Sequence, residues 1–142
     1  MNLDVLGDVN WLAVLVATVV YFGIGGLWFA QPVLGNAWMR AMGWKPAPDE
    51  RTSNAIMYIA PLITCLISTI ATAALAEATG TDTLGEGVVL GVVLGIGIAA
   101  AVCFVTSFFD PKKPQPMVYA AITAGYHVVG LVAVSAIIGV WN

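Results

Sequence analysis

The chain has 142 residues, of which 60% are hydrophobic and only 9% are charged, and its net charge is −3. A soluble domain has about 45–50% apolar and about 25% charged residues, so this composition excludes an ordinary water-soluble surface. It also excludes a disordered chain, which is poor in apolar residues, and a basic nucleic-acid-binding protein. The composition predicts an integral membrane protein whose first partner is the lipid bilayer.

Four segments are long and apolar enough to cross a bilayer, which takes about 20 residues for roughly 30 Å of hydrocarbon. None of them contains Asp, Glu, Lys or Arg. Because backbone polar groups in lipid must be satisfied within the segment, each one is predicted to be a helix. The predicted fold class is an all-α bundle, a single membrane domain over residues 1–142, with spans at about 11–30, 55–76, 87–109 and 117–141.

The first connection, residues 31–54, predicts a short amphipathic helix that lies in the membrane interface. Leu34, Trp38, Met39 and Met42 recur at helical spacing along it. Such an apolar stripe is typical of helices that lie on a membrane, and Gly43 is placed to end the helix.

The basic residues predict the orientation of the chain. All five lie in connections 31–54 and 110–116, as Arg40, Lys45, Arg51, Lys112 and Lys113. The positive-inside rule assigns both connections to the cytoplasm and both termini to the outside.

Tryptophan residues fall near the ends of the predicted spans, at both faces of the membrane. The amphipathic indole ring prefers the headgroup level, so all five are predicted to be interfacial anchors. They are Trp11, Trp28, Trp38, Trp44 and Trp141.

The third span carries small residues at every fourth position, which is a glycine-zipper pattern: Gly87, Gly91, Gly95 and Ala99. Such a helix face lets another backbone approach closely, and it predicts a helix-packing groove. The pattern leaves two partners open. One is a second copy of the chain, and the other is the second span, where residues of similar size recur at the same interval: Thr64, Ser68, Thr72 and Ala76.

Counting about 1.5 Å per helical residue places a polar layer near the middle of the bilayer. Its members are Tyr21, Thr64, Cys65, Ser68 and His127. An ionisable residue inside a membrane is by default a functional hypothesis, and His127 admits three interpretations. It is a neutral imidazole bonded across helices to Tyr21 or to a hydroxyl of the second span, a relay in a proton or solute pathway, or a ligand to a metal or haem.

The sequence predicts neither an enzyme nor a metal or cofactor site. It has no HExxH or GxSxG motif, and its acidic residues lie at the membrane edges or in loops. The favoured function is therefore a non-enzymatic membrane protein that acts by helix–helix association, as a homo-oligomer or as an accessory subunit of a larger complex. The alternative is a small channel or transporter for protons, ions or a small solute, with the layer around His127 along its path.

Several motifs of the chain are familiar together. They are Asn10-Trp11-Leu12-Ala13-Val14, Leu27-Trp28-Phe29, the stretch from Leu34 to Gly43, Gly125-Tyr126-His127 and Ile138-Gly139-Val140-Trp141. The sequence resembles a family of small bacterial four-helix membrane proteins catalogued as a domain of unknown function. The resemblance covers nearly the whole chain, is strongest over residues 10–43, and implies a four-span protein of the bacterial inner membrane without implying an activity.

Overall fold

A computed structural model describes residues 3–45 and 55–141 of the chain. The described part is helical and contains no strand, as the sequence predicts. Four of its helices are long and apolar enough to cross a membrane, which indicates a multi-pass membrane protein. The main helices are α1 (Trp11–Trp28), α2 (Asn36–Met42), α3 (Ile56–Thr79), α4 (Leu84–Phe108) and α5 (Pro116–Trp141). A short 3-10 helix (Leu3–Gly7) precedes α1, and a short π-helix (Gln31–Gly35) leads into α2.

Two of the spanning helices, α1 and α4, begin at residues whose side chains accept hydrogen bonds from free backbone N–H groups. The Asn10 carboxamide oxygen accepts hydrogen bonds from the backbone N–H groups of Leu12 and Ala13 at the start of α1. At the start of α4, the Thr83 hydroxyl oxygen accepts from the N–H of Glu86, whose carboxylate accepts from the Thr83 hydroxyl. This pairing is a capping box, which places the start of α4 three residues before the predicted span.

The short helix of the first connection is present, and it packs against the bundle. It ends at Gly43, which adopts φ 77°, a left-handed conformation that glycine reaches without strain. The Trp38 indole stacks on the ring of Tyr119 at a centroid distance of 5.8 Å, and its N–H donates to the hydroxyl of Thr123. Trp38 therefore attaches α2 to α5 in addition to placing an aromatic ring at this end of the bundle.

The last helix, α5, is the centre of the bundle. In the most apolar 18-residue stretch of α5, 44% of the residues are buried, against 11% in that of α4. Glycines on facing helices make room for aromatic rings between α1 and α5: Gly130 faces the ring of Tyr21, Gly125 faces that of Trp28, and Gly25 faces that of Tyr126. A methyl group at any of these glycines would press on the ring it faces, so the glycines let the two helices approach.

The predicted groove of α4 is filled by α5, which corrects the expectation that its partner inside the chain is the second span. A Cβ atom added at Gly91 would lie 2.5 Å from the Cα of Val132, and one at Gly95 would lie 2.9 Å from the Cα of Val128. Gly87 lies in the same way against the backbone at Ser135. The physical reason is that α5 also has a small residue at the crossing, Gly139, whose added Cβ would lie 3.3 Å from the Cα of Gly87.

The middle of α4 is wider than an α-helix. From Val93 to Ala100 the helix has π-helical hydrogen bonding, between α-helical segments Leu84–Val92 and Ala101–Phe108. Spacing alone gives no sign of this stretch. Ala99, the last member of the predicted groove, follows within it and is half-buried against the core.

The two ends of the bundle differ in charge. The N–H of Gln115 donates to the carbonyl of Ala41, which joins the first and third connections at one end. At the other end, the Asn10 amide donates to the carbonyl of Trp141, which ties the start of α1 to the end of α5. The Lys and Arg residues that the structure describes therefore share one end. Arg51, which the sequence also assigns to this end, lies outside the described ranges.

Candidate functional site

A hydrogen bond between α1 and α5 lies near the middle of the spans. The Tyr21 hydroxyl oxygen is 2.6 Å from Nδ1 of His127. A neutral imidazole accepts at Nδ1 from a phenol O–H, so this contact is the cross-helix bond that the sequence offers as one interpretation of His127. Tyr21 itself is 2% exposed, and its ring fits against Gly130.

A second polar contact joins α3 to α5 beside the first. The Cys65 sulfur lies 3.3 Å from the hydroxyl oxygen of Tyr126. The Tyr126 ring also contacts the rings of Tyr21 and His127, at centroid distances of 5.2 and 4.7 Å. We call Tyr21, Cys65, Tyr126 and His127 the polar cluster.

Tyr126 is the member of the polar cluster that sequence reasoning missed. It appears there only within the Gly125-Tyr126-His127 motif. A usable signal exists, because Tyr in membrane proteins is concentrated at the interfaces and Tyr126 lies in mid-span. A tyrosine at that depth needs a partner for its hydroxyl, and the structure supplies Cys65.

The structure does not bring Thr64 and Ser68 into the polar cluster. Thr64 is exposed on the outside of α3, where its hydroxyl donates to the carbonyl of Pro61 at 2.9 Å. The Ser68 carbonyl accepts from the hydroxyl of Thr72, within the same helix. The predicted polar layer is therefore divided, since helical depth places residues at one height without choosing the face they occupy.

The tryptophans at the two ends of the bundle have different surroundings. Trp11 and Trp141 are exposed at the ends of α1 and α5. Trp28 is instead bonded within the bundle, because its indole N–H donates to the Ile122 carbonyl at 2.9 Å. Trp44 is half-buried beside Met57.

A cavity of about 470 Å³ lies between α1 and α3, next to the polar cluster. We call it the α1–α3 cleft. Two smaller cavities adjoin it, sharing Trp38 and Met57 with it. The lining of the cleft is apolar and largely aromatic, and consists of Phe22, Gly25, Gly26, Phe29, Trp38, Met57, Tyr58, Pro61 and Tyr126.

The cleft exists because α3 changes its packing at Cys65. From Ile56 to Thr64 every residue of α3 is exposed, whereas its buried residues begin at Cys65 and continue to Ala76. Pro61 lies in the exposed half, where it removes a backbone hydrogen bond and crowds the preceding turn. The two helices therefore pack closely in the half near the chain termini and leave a space near the basic connections.

The charged groups at the basic end form one ion pair among the described residues. The Lys113 ammonium contacts the Asp110 carboxylate and lies 4.7 Å from the centroid of the Tyr119 ring. The hydrogen bond from Lys113 holds the pKa of Asp110 below its ordinary value, and a second bond from the N–H of Lys112 acts in the same direction. Arg40 and Lys45 are exposed at this end.

The described residues contain no group of three or more His, Cys, Asp or Glu side chains that could hold a metal ion. Cys65 and Cys103 are free thiols. At the acidic end, the carboxylate of Glu86 is engaged in capping α4. The polar cluster can therefore donate and accept hydrogen bonds, while the α1–α3 cleft offers an apolar binding volume.

One family model, described as "Protein of unknown function (DUF1761)", matches residues 12–139. No curated protein and no solved structure gives a significant match. The match covers nearly the whole described bundle, from the second residue of α1 to the last turn of α5.

Proposed function

The chain belongs to the DUF1761 family, whose function is unknown, and we propose that it is a non-enzymatic membrane protein acting by helix–helix association. The observation that carries this proposal is the first half of α3, where every residue from Ile56 to Thr64 is exposed. The remaining half of α3 and the other spanning helices each have buried positions. The partner is a second copy of the chain or a subunit of a larger membrane complex.

The face of α3 turned away from the cleft is suited to a partner helix. Ile59, Ile63 and Ile67 recur at intervals of four, and each is at least half exposed. Residues four apart lie on one side of a helix, and this side is opposite the cleft-lining Met57 and Pro61. A helix that packs on this isoleucine face would hold the exposed half of α3 in place through van der Waals contact.

The polar groups in the spans support association over transport. The Tyr21 hydroxyl is directed to His127, and the hydroxyls of Thr18, Thr69 and Thr72 donate to carbonyls four residues earlier in their own helices. Hydroxyls that are satisfied in this way are not free to line a continuous polar path. The rival proposal, a channel or transporter with His127 on its path, would need an oligomer to place polar groups along a pore.

We also propose that the protein resides in a bacterial inner membrane with both termini outside. The support is the charge pattern, because the described basic residues Arg40, Lys45, Lys112 and Lys113 share one end of the bundle. The positive-inside rule places that end in the cytoplasm.

Site-specific photo-crosslinking in native membranes tests the association. A photoreactive amino acid at Ile63 should yield a crosslinked protein, and the mass of the adduct identifies either a second 14.8 kDa chain or a different subunit. The matched control is Val93, which is exposed to a similar degree on α4 and should yield no specific adduct. A single-chain mass in native nanodiscs, together with equal crosslinking at both positions, would refute the proposal.

A further inference from the structure

We propose that the α1–α3 cleft binds one hydrocarbon chain of an anionic phospholipid from the leaflet at the basic end of the bundle. The site is separate from the isoleucine face of α3, so the inference goes beyond helix–helix association. It is carried by the volume, the depth, the lining and the charge of the cleft.

The volume of the cleft suits a single hydrocarbon chain. The cleft holds about 470 Å³. Small-molecule sites occupy about 300–1,000 Å³, and an extended alkyl chain is thin enough to enter between two helices that stay in contact at their other ends.

The length of the cleft along α1 fits within one leaflet of the bilayer. Its lining on α1 runs from Phe22 to Phe29, about 10 Å along the helix axis. Half of the hydrocarbon core is about 15 Å thick. The cleft runs from Tyr126, near the middle of the spans, to Trp38 at the end where the basic connections meet, so a chain inside it would stand in one leaflet only.

The deep end of the cleft offers contact area without a free polar group, because the hydroxyl of Tyr126 is in contact with Cys65. Nearer the mouth, the indole N–H of Trp38 donates to Thr123. A sugar or a charged head group would lose hydration at the deep end without gaining hydrogen bonds, whereas an alkyl chain loses nothing. Ordered water needs about two to four polar partners, which this lining does not supply at the deep end, so an apolar chain is the better occupant there.

The charge at the mouth favours an anionic head group. Trp44 lines the adjoining cavity together with Met57, and the next residue, Lys45, is exposed. The sole ion pair within the described ranges uses Lys113 and Asp110, which leaves Lys45 outside it. Basic residues next to the end of a spanning helix attract anionic lipid head groups electrostatically.

Two glycines of α1 provide a test variant and its control. Gly26 lines the cleft, and a Cβ atom added there would meet nothing within 4 Å. Gly23 also lies on α1 with nothing within 4 Å, but it does not line the cleft. Gly26→Leu therefore places a side chain in the binding volume, and Gly23→Leu adds the same side chain outside it.

The experiment uses phosphatidylglycerol with a photoreactive diazirine in one acyl chain, incorporated as a minor component into phosphatidylcholine nanodiscs that hold the full chain. After irradiation, the labelled residues are mapped by mass spectrometry. We expect saturable labelling of one lipid per chain, concentrated on the cleft residues of α1 and α3. Gly26→Leu should reduce this labelling several-fold, and Gly23→Leu should leave it unchanged.

Three results would overturn the inference. One is uniform labelling of lipid-facing residues, including Val93 of α4, which would indicate only the general lipid shell. Another is equal displacement of the label by phosphatidylcholine and phosphatidylglycerol, which would refute the anionic preference. The third is a protein crosslink from a photoreactive group at Pro61, which would place a polypeptide in the cleft.

Because the labelling is mapped on the unmodified chain first, a variant that fails to fold does not prevent the test. If the protein is monomeric and still binds one lipid in the cleft, the helix–helix association proposal is refuted and the lipid proposal stands.

Discussion

At the scale of single residues, the four side chains of the polar cluster contact one another across helices in the middle of the spans. Tyr21 and His127 link α1 to α5, and Cys65 and Tyr126 link α3 to α5. In hydrocarbon an unpaired hydroxyl or imidazole is costly, so such contacts select one arrangement of the helices. We therefore expect the polar cluster to fix the register of α5 against α1 and α3.

A double-mutant cycle measures the contact between Tyr21 and His127. We expect Tyr21→Phe and His127→Ala to show a coupling free energy of about 0.6–1.7 kcal/mol, the range typical of hydrogen bonds between membrane helices. The measurement is the free energy of unfolding in mixed micelles for the parent, both single variants and the double variant. As a control, Tyr58→Phe should not couple to His127→Ala, because Tyr58 is exposed on α3. Additive effects of Tyr21→Phe and His127→Ala would contradict the hydrogen bond.

The ion pair of Asp110 predicts a dependence of stability on pH. The pKa of Asp110 is lowered in the folded state, chiefly by the hydrogen bond from Lys113. Its stabilising effect is therefore complete above the ordinary value of 3.8 and is lost as the pH falls through the lowered pKa. Asp110→Asn should reduce stability slightly at neutral pH and flatten the loss in acid, as followed by unfolding from neutral to acidic pH. Asp82→Asn, at the opposite end, should retain that loss, and an unchanged acid profile in Asp110→Asn would contradict the assignment.

At the scale of helices, the contact between α4 and α5 depends on glycine. Gly87, Gly91 and Gly95 lie against the backbone of α5, whereas Gly85 and Gly97 have nothing within 4 Å of an added Cβ. Helices in lipid gain little from the hydrophobic effect on contact, so close packing supplies the attraction. The glycines of one helix thus differ in importance according to the face they occupy.

Gly91→Ala and Gly97→Ala form a matched pair on α4. The added methyl at position 91 would lie 2.5 Å from the Cα of Val132 and must push the helices apart, which costs about 1–3 kcal/mol in a packed interior. At position 97 the methyl meets open space, so alanine should be neutral or stabilise the helix by about 0.5–1 kcal/mol. Thermal unfolding of both variants in the same detergent gives the comparison. Equal losses of stability would show that α4 does not pack on α5 through this face.

At the scale of the whole molecule, the bundle is asymmetric in charge and in packing. The basic connections share one end with the α1–α3 cleft, and the termini lie at the opposite end. The same end that faces the cytoplasm under the positive-inside rule is thus the end where the helices separate. The proposed orientation and the proposed lipid site therefore both depend on this half of the bundle.

Reporter fusions test the orientation. Alkaline phosphatase fused to the C-terminus should be active, because the enzyme folds only outside the cytoplasm, and green fluorescent protein at that position should be dark. An insertion of each reporter after Lys45 should give the reverse result. Active phosphatase at both sites, or at neither, would refute the proposed topology.

The sequence was sufficient for the helices and offered one contact of the polar cluster among alternatives. Apolar runs predicted the four spans, and helical depth together with hydrogen-bonding chemistry gave Tyr21 or a hydroxyl of the second span as partner in one of three interpretations of His127; in the structure the partner is Tyr21. Depth alone failed for Thr64, which lies at the predicted height on the outer side of α3. For the α4 glycines the pattern leaves a second copy and the second span open as partners, and the partner within the chain is instead α5, which also carries a small residue where the two helices cross.

The sequence by itself determined which segments enter lipid and where several helices begin or end. The first depends on the apolar residues within each segment. The second depends on local residues such as Asn10 and Gly43, which satisfy or end the helix backbone. Only the tertiary structure decided that α5 is central, that Tyr126 joins the polar cluster and that a cleft separates α1 from α3. The physical reason is that lipid solvates every apolar face equally well. The choice among faces then depends on the fit of glycine to backbone and of ring to glycine across helices, which no single segment contains.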